Sequence, residues 1–423
     1  MGAKLLDRQE IPQVPTGPLS KLNAIINGRL AEDVPDMVAR WHCDRVVLVA
    51  SRSMSQKSDL LQELKKALGT KLVGEKTGVG SHTPYADVLE IAKILQSTNA
   101  DCLVSVGSSS YSDACKIARL LAATLPADQL NTDCITSLMD LKKGRTKPGV
   151  LNDPTTKLIL VPCTLSASEY NPISSATDPR GKKEHFGESV EHVPAAADVV
   201  LLDPAIIATV PQNVWLESGA RAIDHCVEAI VSTRVGDEGT KVAQDSLADL
   251  IRGLQRYKAA REKGLSANDK EMLAAVSSCQ VGARGAISTL ICYRSTMGPS
   301  HAIGHQMGSV GKLPHGLTSC VGLPATLRYE KRHPGCKHWD AAKQKAVLEV
   351  YNNELGWNET DAGTVVEKFY RQLGLPTKLS EVGVTDEEAI QQIAKQTLTD
   401  IWGNGEPQLT TVEEVLELLQ DAR

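Results

Sequence analysis

The chain has 423 residues, with 46 lysines and arginines against 51 aspartates and glutamates, so its formal net charge is −5. Nucleic-acid backbones reward a concentrated excess of positive charge, and this nearly matched balance therefore argues against a nucleic-acid partner. Apolar residues make up 42% of the chain, which is typical of a globular protein large enough for two domains.

The amino terminus and the cysteines bear on localisation. The first residues, MGAKLLDRQEIPQ, lack the apolar core of a signal peptide, and the sequence contains no run of 18 apolar residues. The ten cysteines form no CxxC pair, as expected for reduced thiols. We therefore expect a cytoplasmic protein with no membrane partner, whose first 20 residues form an arm.

The amino-terminal half alternates short apolar runs with amphipathic stretches, as a parallel sheet with crossover helices requires. Apolar runs predict strands, and amphipathic stretches near 57–69 and 84–98 predict helices. The predicted strands are 45–50, 71–76, 102–106, 157–161 and 199–207. Strands that are apolar throughout are typical of a sheet buried on both faces.

Beyond the strand at 199–207 the pattern becomes helical. The predicted helices are 212–233, 240–257, 270–293, 340–355, 361–374 and 408–421. Thr411 and Glu414 form the capping-box pair of the last one. The sequence thus predicts an α/β, dinucleotide-binding-like domain over residues 1–200 and an all-α domain over residues 201–423.

Two turns built from small side chains follow predicted buried strands. Small residues let backbone N–H groups and a helix N-terminus approach a phosphate, and the carboxyl ends of parallel strands share one edge of a sheet. Ordinary helix capping and a plain strand exit explain the same residues without a ligand. The cofactor-binding candidates are Gly107, Ser108, Ser109, Ser110 and Asp113 near the first turn, and Thr164, Ser166 and Ser168 in the second.

A group of histidines in the second half is the third candidate site. His301 and His305 are four residues apart, as are Arg221 and His225, so each pair shares one helical face. His315 follows Pro314, where a new element begins. By contrast, His333, Cys336 and His338 lack a second half and are interpreted as a surface loop rather than a metal site.

These segments together resemble a known family. The order of SHTPY (81–85), GSSSYSDACK, PCTLSASE, SGARAIDHCVEA and HAIGHQMGSVGKLPHG is similar to that of the iron-dependent alcohol dehydrogenase superfamily, in particular its maleylacetate reductase branch. The resemblance implies the dehydroquinate synthase-like fold, with a Rossmann-like domain before the helical one. It also implies NAD(P)H as cofactor and a homodimer.

The resemblance places the family's glycine-rich turn on residues 107–110 and its second cofactor turn on residues 164–168. It places the metal-binding aspartate on Arg221 and a further active-site histidine on His305. The family's histidine ligands fall on His225, His301 and His315. Because a permanent cation replaces a metal-ligand carboxylate, we expect no bound metal.

The cofactor turns also depart from the family. Ser108, Ser109 and Ala167 stand where the family has glycine, and each added Cβ narrows the approach of a pyrophosphate to backbone N–H groups. NAD(P)H binding is therefore open. Ser51 and Arg52 follow the first predicted strand, with no acid to hold a ribose 2′-hydroxyl, which favours NADPH over NADH.

These observations predict a metal-independent, NAD(P)H-linked reductase acting on the carbonyl or enone of a small carboxylate. The predicted catalytic residues are Arg221, His225, His301, His305 and His315. Arg221 would orient the carboxylate, and His305 or His225 would act as general acid. The alternatives are a non-redox lyase, isomerase or cyclase that uses the same groups without a nicotinamide, and a non-catalytic scaffold.

Overall fold

The computed structural model describes residues 6–187, 189–335, 339–400 and 409–423. The strands are β1 (Gln9–Pro12), β2 (Asn23–Ile26), β3 (Val46–Ala50), β4 (Leu72–Thr77), β5 (Cys102–Gly107), β6 (Met139–Asp140), β7 (Arg145–Thr146), β8 (Lys157–Pro162), β9 (Ser174–Thr177), β10 (Lys183–Phe186) and β11 (Val199–Leu202).

The helices before residue 210 are α1 (Leu30–Arg40), α2 (Arg52–Lys57), α3 (Leu60–Leu68), α4 (Tyr85–Ser97), α5 (Ser109–Thr124) and α6 (Thr132–Leu138). Those after it are α7 (Gln212–Val231), α8 (Asp237–Glu262), α9 (Lys270–Cys292), α10 (Pro299–Ser309), α11 (His315–Arg332), α12 (Gln344–Leu355), α13 (Ala362–Leu373), α14 (Glu387–Thr397) and α15 (Val412–Gln420).

The chain divides into two compact units. The first contains residues 1–210 with 266–277, and the second contains 211–265 with 278–423. Because residues 266–277 return to the first unit, no single cut in the sequence separates the two. Within the described chain, no helix is long and apolar enough to span a membrane.

A seven-stranded sheet forms the core of the first unit, in the order β1-β2-β11-β8-β5-β3-β4. All its neighbouring strands are parallel except β1, which pairs antiparallel with β2. The residues of β3, β5 and β11 are buried throughout. This confirms the prediction of a parallel sheet buried on both faces.

Several predicted boundaries were wrong. The predicted arm over the first 20 residues is wrong for its described part, residues 6–20, because β1 extends the sheet and Val14 and Leu19 are buried in the core. The strand predicted at 199–207 ends at Leu202, and a 3₁₀ turn starting at Pro204 follows it. The four-stranded sheet β6-β7-β10-β9 was not predicted.

The second unit is helical, as predicted. Helix α11 packs on α7, α10 and α13, and α7 also packs on α8. A Cβ at Gly316 would lie 2.6 Å from the backbone carbonyl of Glu217, so the missing side chain lets the start of α11 approach α7 closely. That approach sets the place of His315, the first residue of α11.

Candidate functional site

The first cofactor turn joins β5 to α5. A Cβ at Gly107 would lie 2.3 Å from Cγ of Tyr111, so this glycine makes room for the tyrosine ring. Ser108 precedes the helix with φ −79° and ψ −179°, an extended backbone that any residue adopts. The serine at position 108 therefore causes no backbone strain, although the family has glycine there.

The second cofactor turn lies directly beside the first. In the parallel pairing of β5 and β8, Gly107 is opposite Pro162, and the Cys163 N–H donates to the Gly107 carbonyl at 2.8 Å. Ser168 Oγ lies 3.5 Å from the Ser109 carbonyl oxygen. The structure thus brings the two turns together at one edge of the sheet.

The backbone of the second turn is strained at Ala167. Its φ of 61° and ψ of 22° lie in the left-handed region, which alanine rarely adopts. A side chain at this position therefore strains the turn. The strain costs about 1–2 kcal/mol.

A buried lysine braces this pair of turns through one ion pair and two hydrogen bonds. Lys116, on α5, is fully buried, and its Nζ donates to the carbonyls of Ser168 at 2.7 Å and Asn171 at 2.8 Å. It also lies 3.1 Å from Oδ1 of Asp113, whose Oδ2 accepts the Ser175 N–H. Asp113, predicted from the sequence as a cofactor ligand, therefore contacts the protein's own groups in this structure.

Two hydroxyls in these turns are buried and, among the described residues, without hydrogen-bond partners. They are Ser109 Oγ and Thr164 Oγ1, one from each turn. Ser110 and Ser166 are half-buried, and the Ser110 carbonyl accepts from Thr83 Oγ1 at 3.2 Å. Buried hydroxyls need a partner, so the two turns have polar groups available for a ligand.

Arg221, on α7, is buried, with 4% of its surface exposed. Its Nη1 donates to Ser319 Oγ at 3.2 Å and lies 3.9 Å from Oδ2 of Asp224. Burial lowers the pKa of the guanidinium, while the charges of Asp224 and Glu228 oppose that effect. The side chain is therefore buried within the helical unit, beside Asp224 on the same helix.

Two buried acids on α7 were not predicted as site residues. Asp224 Oδ2 accepts from Ser300 Oγ at 2.9 Å and Ser319 Oγ at 2.6 Å. Glu228 accepts the Gly298 N–H at 2.7 Å at the start of α10. Burial raises the pKa of Asp224 to about 6 and that of Glu228 to about 7.

Their i, i+4 spacing was the available sequence signal, since it places both carboxylates on one helical face with Arg221 and His225. The polar cluster of Arg221, Asp224, Glu228, Ser300, His301 and Ser319 joins α7, α10 and α11, and we call it the helix-joining cluster.

The four histidines form two stacked pairs. The rings of His225 and His301 are 4.8 Å apart, and those of His305 and His315 are 5.3 Å apart. His301 is fully buried, His225 and His305 are partly exposed, and His315 is exposed. The Nδ1 atom of His225 is itself buried, and burial lowers the pKa of both His225 and His301 well below the ordinary value.

His301 and His305 have different acidic partners. His301 Nδ1 lies 2.6 Å from Oε2 of Glu228. His305 Nδ1 lies 3.1 Å from Oδ2 of Asp400, a residue 95 positions further along the chain. Asp400 lies outside every motif in the sequence, and no pattern in the sequence connects it to His305.

Comparison with protein-family models identifies both parts of the chain. Residues 23–204 match the iron-containing alcohol dehydrogenase model, and residues 215–423 match the carboxyl-terminal model of the Fe-containing alcohol dehydrogenase family. The chain belongs to the iron-containing alcohol dehydrogenase family. This confirms the resemblance seen in the motifs and the fold that it implied.

Sequence identity to individual known proteins is low. The chain is 30% identical to dehydrogenase FUM7 from Gibberella moniliformis, over 89% of this chain and 90% of that protein. It is 20% identical to maleylacetate reductase 1 from Cupriavidus pinatubonensis, over 89% and 88%. The crystal structure of sulfoacetaldehyde reductase from Bifidobacterium kashiwanohense with NAD⁺ superposes with a TM-score of 0.74 at 16% identity, covering 93% of this chain and 95% of that one.

The residues present do not fit the iron-containing alcohol dehydrogenase metal site that the resemblance describes. The resemblance places Arg221 where that site has a carboxylate ligand. Among the described residues, the group whose candidate ligand atoms lie within 4.8 Å of one another is a different set, Asp224, Glu228 and His301. Its carboxylates already accept hydroxyl or backbone hydrogens, and Arg221 lies beside Asp224.

The other possible metal ligands in the sequence give no second site within the described residues. Cys336 and His338 lie outside them, so the surface loop predicted there is not described. The third member of that group, His333, lies 2.9 Å from Glu417 through its Nε2.

Proposed function

We propose that this oxidoreductase uses NAD(P)H, without a metal ion, to reduce the carbonyl or enone of a small molecule that carries a carboxylate. The observation that carries the proposal is the buried guanidinium of Arg221, a residue that the resemblance matches to the family's metal-binding aspartate. A guanidinium has five N–H donors and binds a carboxylate through two of them. One relative is named maleylacetate reductase, after a substrate that is itself a carboxylate.

Among the described residues, the Arg221 guanidinium makes one hydrogen bond, from Nη1 to Ser319. This leaves N–H donors for a substrate carboxylate. When no substrate is bound, the negative charge of Asp224, 3.9 Å away, balances the positive charge of the buried guanidinium.

The proton donor in this proposal is His305. His225 and His301 have pKa values lowered by burial, so both are neutral at pH 7 and poorly suited to donate a proton. His305 is partly exposed and faces a carboxylate. As the carbonyl carbon is reduced, its oxygen gains an electron pair and takes the proton from His305.

The cofactor would lie against the two adjacent turns. When bound, NAD(P)H supplies the hydride. Ser109 Oγ and Thr164 Oγ1 would hydrogen-bond to it, and the N-terminus of α5 would face its phosphates. The sulfoacetaldehyde reductase structure, with its NAD⁺, supports a nicotinamide cofactor in this fold.

A titration with NADPH and with NADH, followed by calorimetry, tests the redox proposal. We expect binding with a preference for NADPH, weakened in Thr164→Val. Absence of binding at millimolar cofactor would contradict it. We would then prefer the second candidate, a non-redox enzyme. Two side chains in the cofactor turns favour that candidate: the ring of Tyr111 fills the space beside Gly107, and Ala167 carries a side chain.

Metal analysis tests the role of Arg221. We expect no stoichiometric zinc or iron in the wild-type protein and no change of its melting temperature with EDTA. Arg221→Asp supplies a carboxylate beside His225 and His301, so added Zn²⁺ should bind this variant and raise its melting temperature. Arg40→Asp, at an exposed position, is the control. Stoichiometric metal in the wild-type protein would contradict the proposal.

A further inference from the structure

We propose that two neighbouring basic segments of the first unit attract the negatively charged cofactor and accelerate its binding. The first is residues 139–147, which contain β6 and β7. The second is residues 178–184, which run from the end of β9 into β10. We call them the basic hairpins. The inference rests on the proposed use of NADPH and extends it to residues outside the two cofactor turns.

The basic hairpins differ in charge from the chain as a whole. Together they contain seven lysines and arginines against three aspartates and glutamates, a net charge of +4, whereas the chain has a net charge of −5. Two of the three acids, Asp178 and Glu184, are buried, and both pair with Arg180. The exposed charge of the basic hairpins is therefore mainly positive.

Three exposed cations of the basic hairpins have no ion-pair partner among the residues that the structure describes. They are Lys142, Arg145 and Lys182. A fourth, Lys143, lies 3.8 Å from Asp140 with its side chain 72% exposed. Exposed charges that no neighbour neutralises contribute to the electrostatic field outside the protein.

Strand pairing brings the basic hairpins together. In the parallel pairing of β7 with β10, Arg145 is opposite His185, and the His185 N–H donates to the Gly144 carbonyl at 2.9 Å. Segments that precede two parallel strands lie at the same end of a sheet. The turn at 141–144 and the turn at 178–182 are therefore neighbours.

This end of the sheet lies beside the first cofactor turn. The Ser175 N–H donates to Asp113 Oδ2 at 3.1 Å, and the Thr177 N–H donates to the Thr83 carbonyl at 2.9 Å. Thr83 Oγ1 in turn donates to the carbonyl of Ser110, the second residue of α5. Strand β9 therefore runs along α5 toward its N-terminus, where the cofactor phosphates would lie.

The charge of Lys182 acts on this region through the solvent. The Asp178 N–H donates to the Lys182 carbonyl at 2.9 Å, so the chain returns beside the end of β9. The backbone steps and hydrogen bonds that connect Lys182 to Ser110 span roughly 25 Å at most. Electrostatic interactions reach about 30 Å at 0.01 M salt and about 3 Å at 1 M. The field of the basic hairpins therefore reaches the cofactor turns at low salt.

Such a field changes the rate of binding more than the contacts in the complex. Positive charge beside a binding site raises the association rate of an anion, whereas the dissociation rate depends on the contacts made after binding. NADPH carries about two more negative charges than NADH, because of its 2′-phosphate. The acceleration should therefore be larger for NADPH than for NADH.

Stopped-flow fluorescence of NADPH and NADH binding to the full-length protein tests the inference. The double variant Lys142→Glu/Lys182→Glu should lower the NADPH association rate constant about tenfold at 0.01 M salt and less than about twofold at 1 M salt. The NADPH dissociation rate constant should stay unchanged. The loss for NADH should be smaller.

The double variant Lys21→Glu/Lys66→Glu is the matched control, because it makes the same change of net charge at two exposed positions. Lys21 precedes β2, and Lys66 lies in the last turn of α3, which leads to β4. Both therefore lie at the amino ends of parallel strands, whereas the cofactor turns lie at the carboxyl ends. This variant should bind NADPH at the wild-type rate.

The outcomes separate this inference from the proposed function. NADPH binding at the same rate in the wild-type protein and Lys142→Glu/Lys182→Glu at low salt overturns the inference alone. An equal loss in the control variant also overturns it, since net charge would then suffice. A faster dissociation that persists at 1 M salt overturns it in favour of direct contact. Absence of NADPH binding to the wild-type protein overturns the proposed function and this inference together.

Discussion

Ala167 shows how one side chain alters a ligand-binding turn. Its left-handed backbone is the conformation that glycine adopts at no steric cost, and it lies between Thr164 and Ser168 in the second cofactor turn. The added methyl group therefore affects both the stability of the turn and the space beside it.

We expect Ala167→Gly to stabilise the protein by about 0.5–1 kcal/mol, because the removed strain exceeds the entropy that glycine loses on folding. The same change should strengthen NADPH binding several-fold. Urea unfolding and calorimetry measure the two effects. Ala86→Gly, at an exposed position in α4, should instead destabilise the protein. A loss of stability in Ala167→Gly would contradict the assignment of strain.

For single residues, the sequence indicated candidate site residues but not the groups that they contact. The spacing of His301 and His305 placed them on one helical face, since helical periodicity is a local property. The contact of His305 with Asp400 depends on how α14 packs against α10, which no local pattern encodes. Likewise, Asp113 was a reasonable phosphate-turn residue, but its partner Lys116 is one turn along the same helix.

Helix α5 links the two cofactor turns at the scale of elements. It begins at the first turn and, through Lys116, holds the carbonyls of the second. Sequence patterns predicted the strands that lead into the two turns, 102–106 and 157–161, because both are continuous apolar runs. The sheet β6-β7-β10-β9 has short strands of two to four residues, which carry too little periodicity to be recognised.

Removing the Lys116 ammonium tests this link. Lys116→Met leaves two backbone carbonyls and the Asp113 carboxylate without their buried cation, which should cost about 3 kcal/mol of stability. We also expect the dissociation constant for NADPH to rise about tenfold, as the second turn moves. Lys142→Met, at an exposed position, should change neither quantity. Unchanged NADPH affinity in folded Lys116→Met would remove the second turn from the cofactor site.

The stability of the whole molecule should depend on pH through its buried acids. Burial raises the pKa of Glu169 to about 7 and that of Asp203 to about 6. Because these groups hold protons more tightly when folded than when unfolded, their contribution to stability is lost as pH rises through 4 to 7.

Glu169→Gln isolates one such group. Its Oε1 accepts from Ser112 Oγ at 3.0 Å, and Lys116 and Asp113 are the nearby charges. We expect the variant and the wild-type protein to have similar stability near pH 4, and the variant to be more stable by about 3 kcal/mol at pH 8. Urea unfolding at a series of pH values measures this difference. A constant difference across that range would contradict the pKa shift, and exposed Glu63→Gln serves as control.

The helix-joining cluster has a consequence for how the protein matures. Arg221 supplies a positive charge to Asp224 from within the polypeptide, at the helix junction where the family resemblance places a metal ligand. On the proposed function, the chain becomes competent as soon as it folds, with no loading step from the cell's supply of iron or zinc. Scarcity of those ions, or a chelator in the growth medium, should then leave the yield of active protein unchanged.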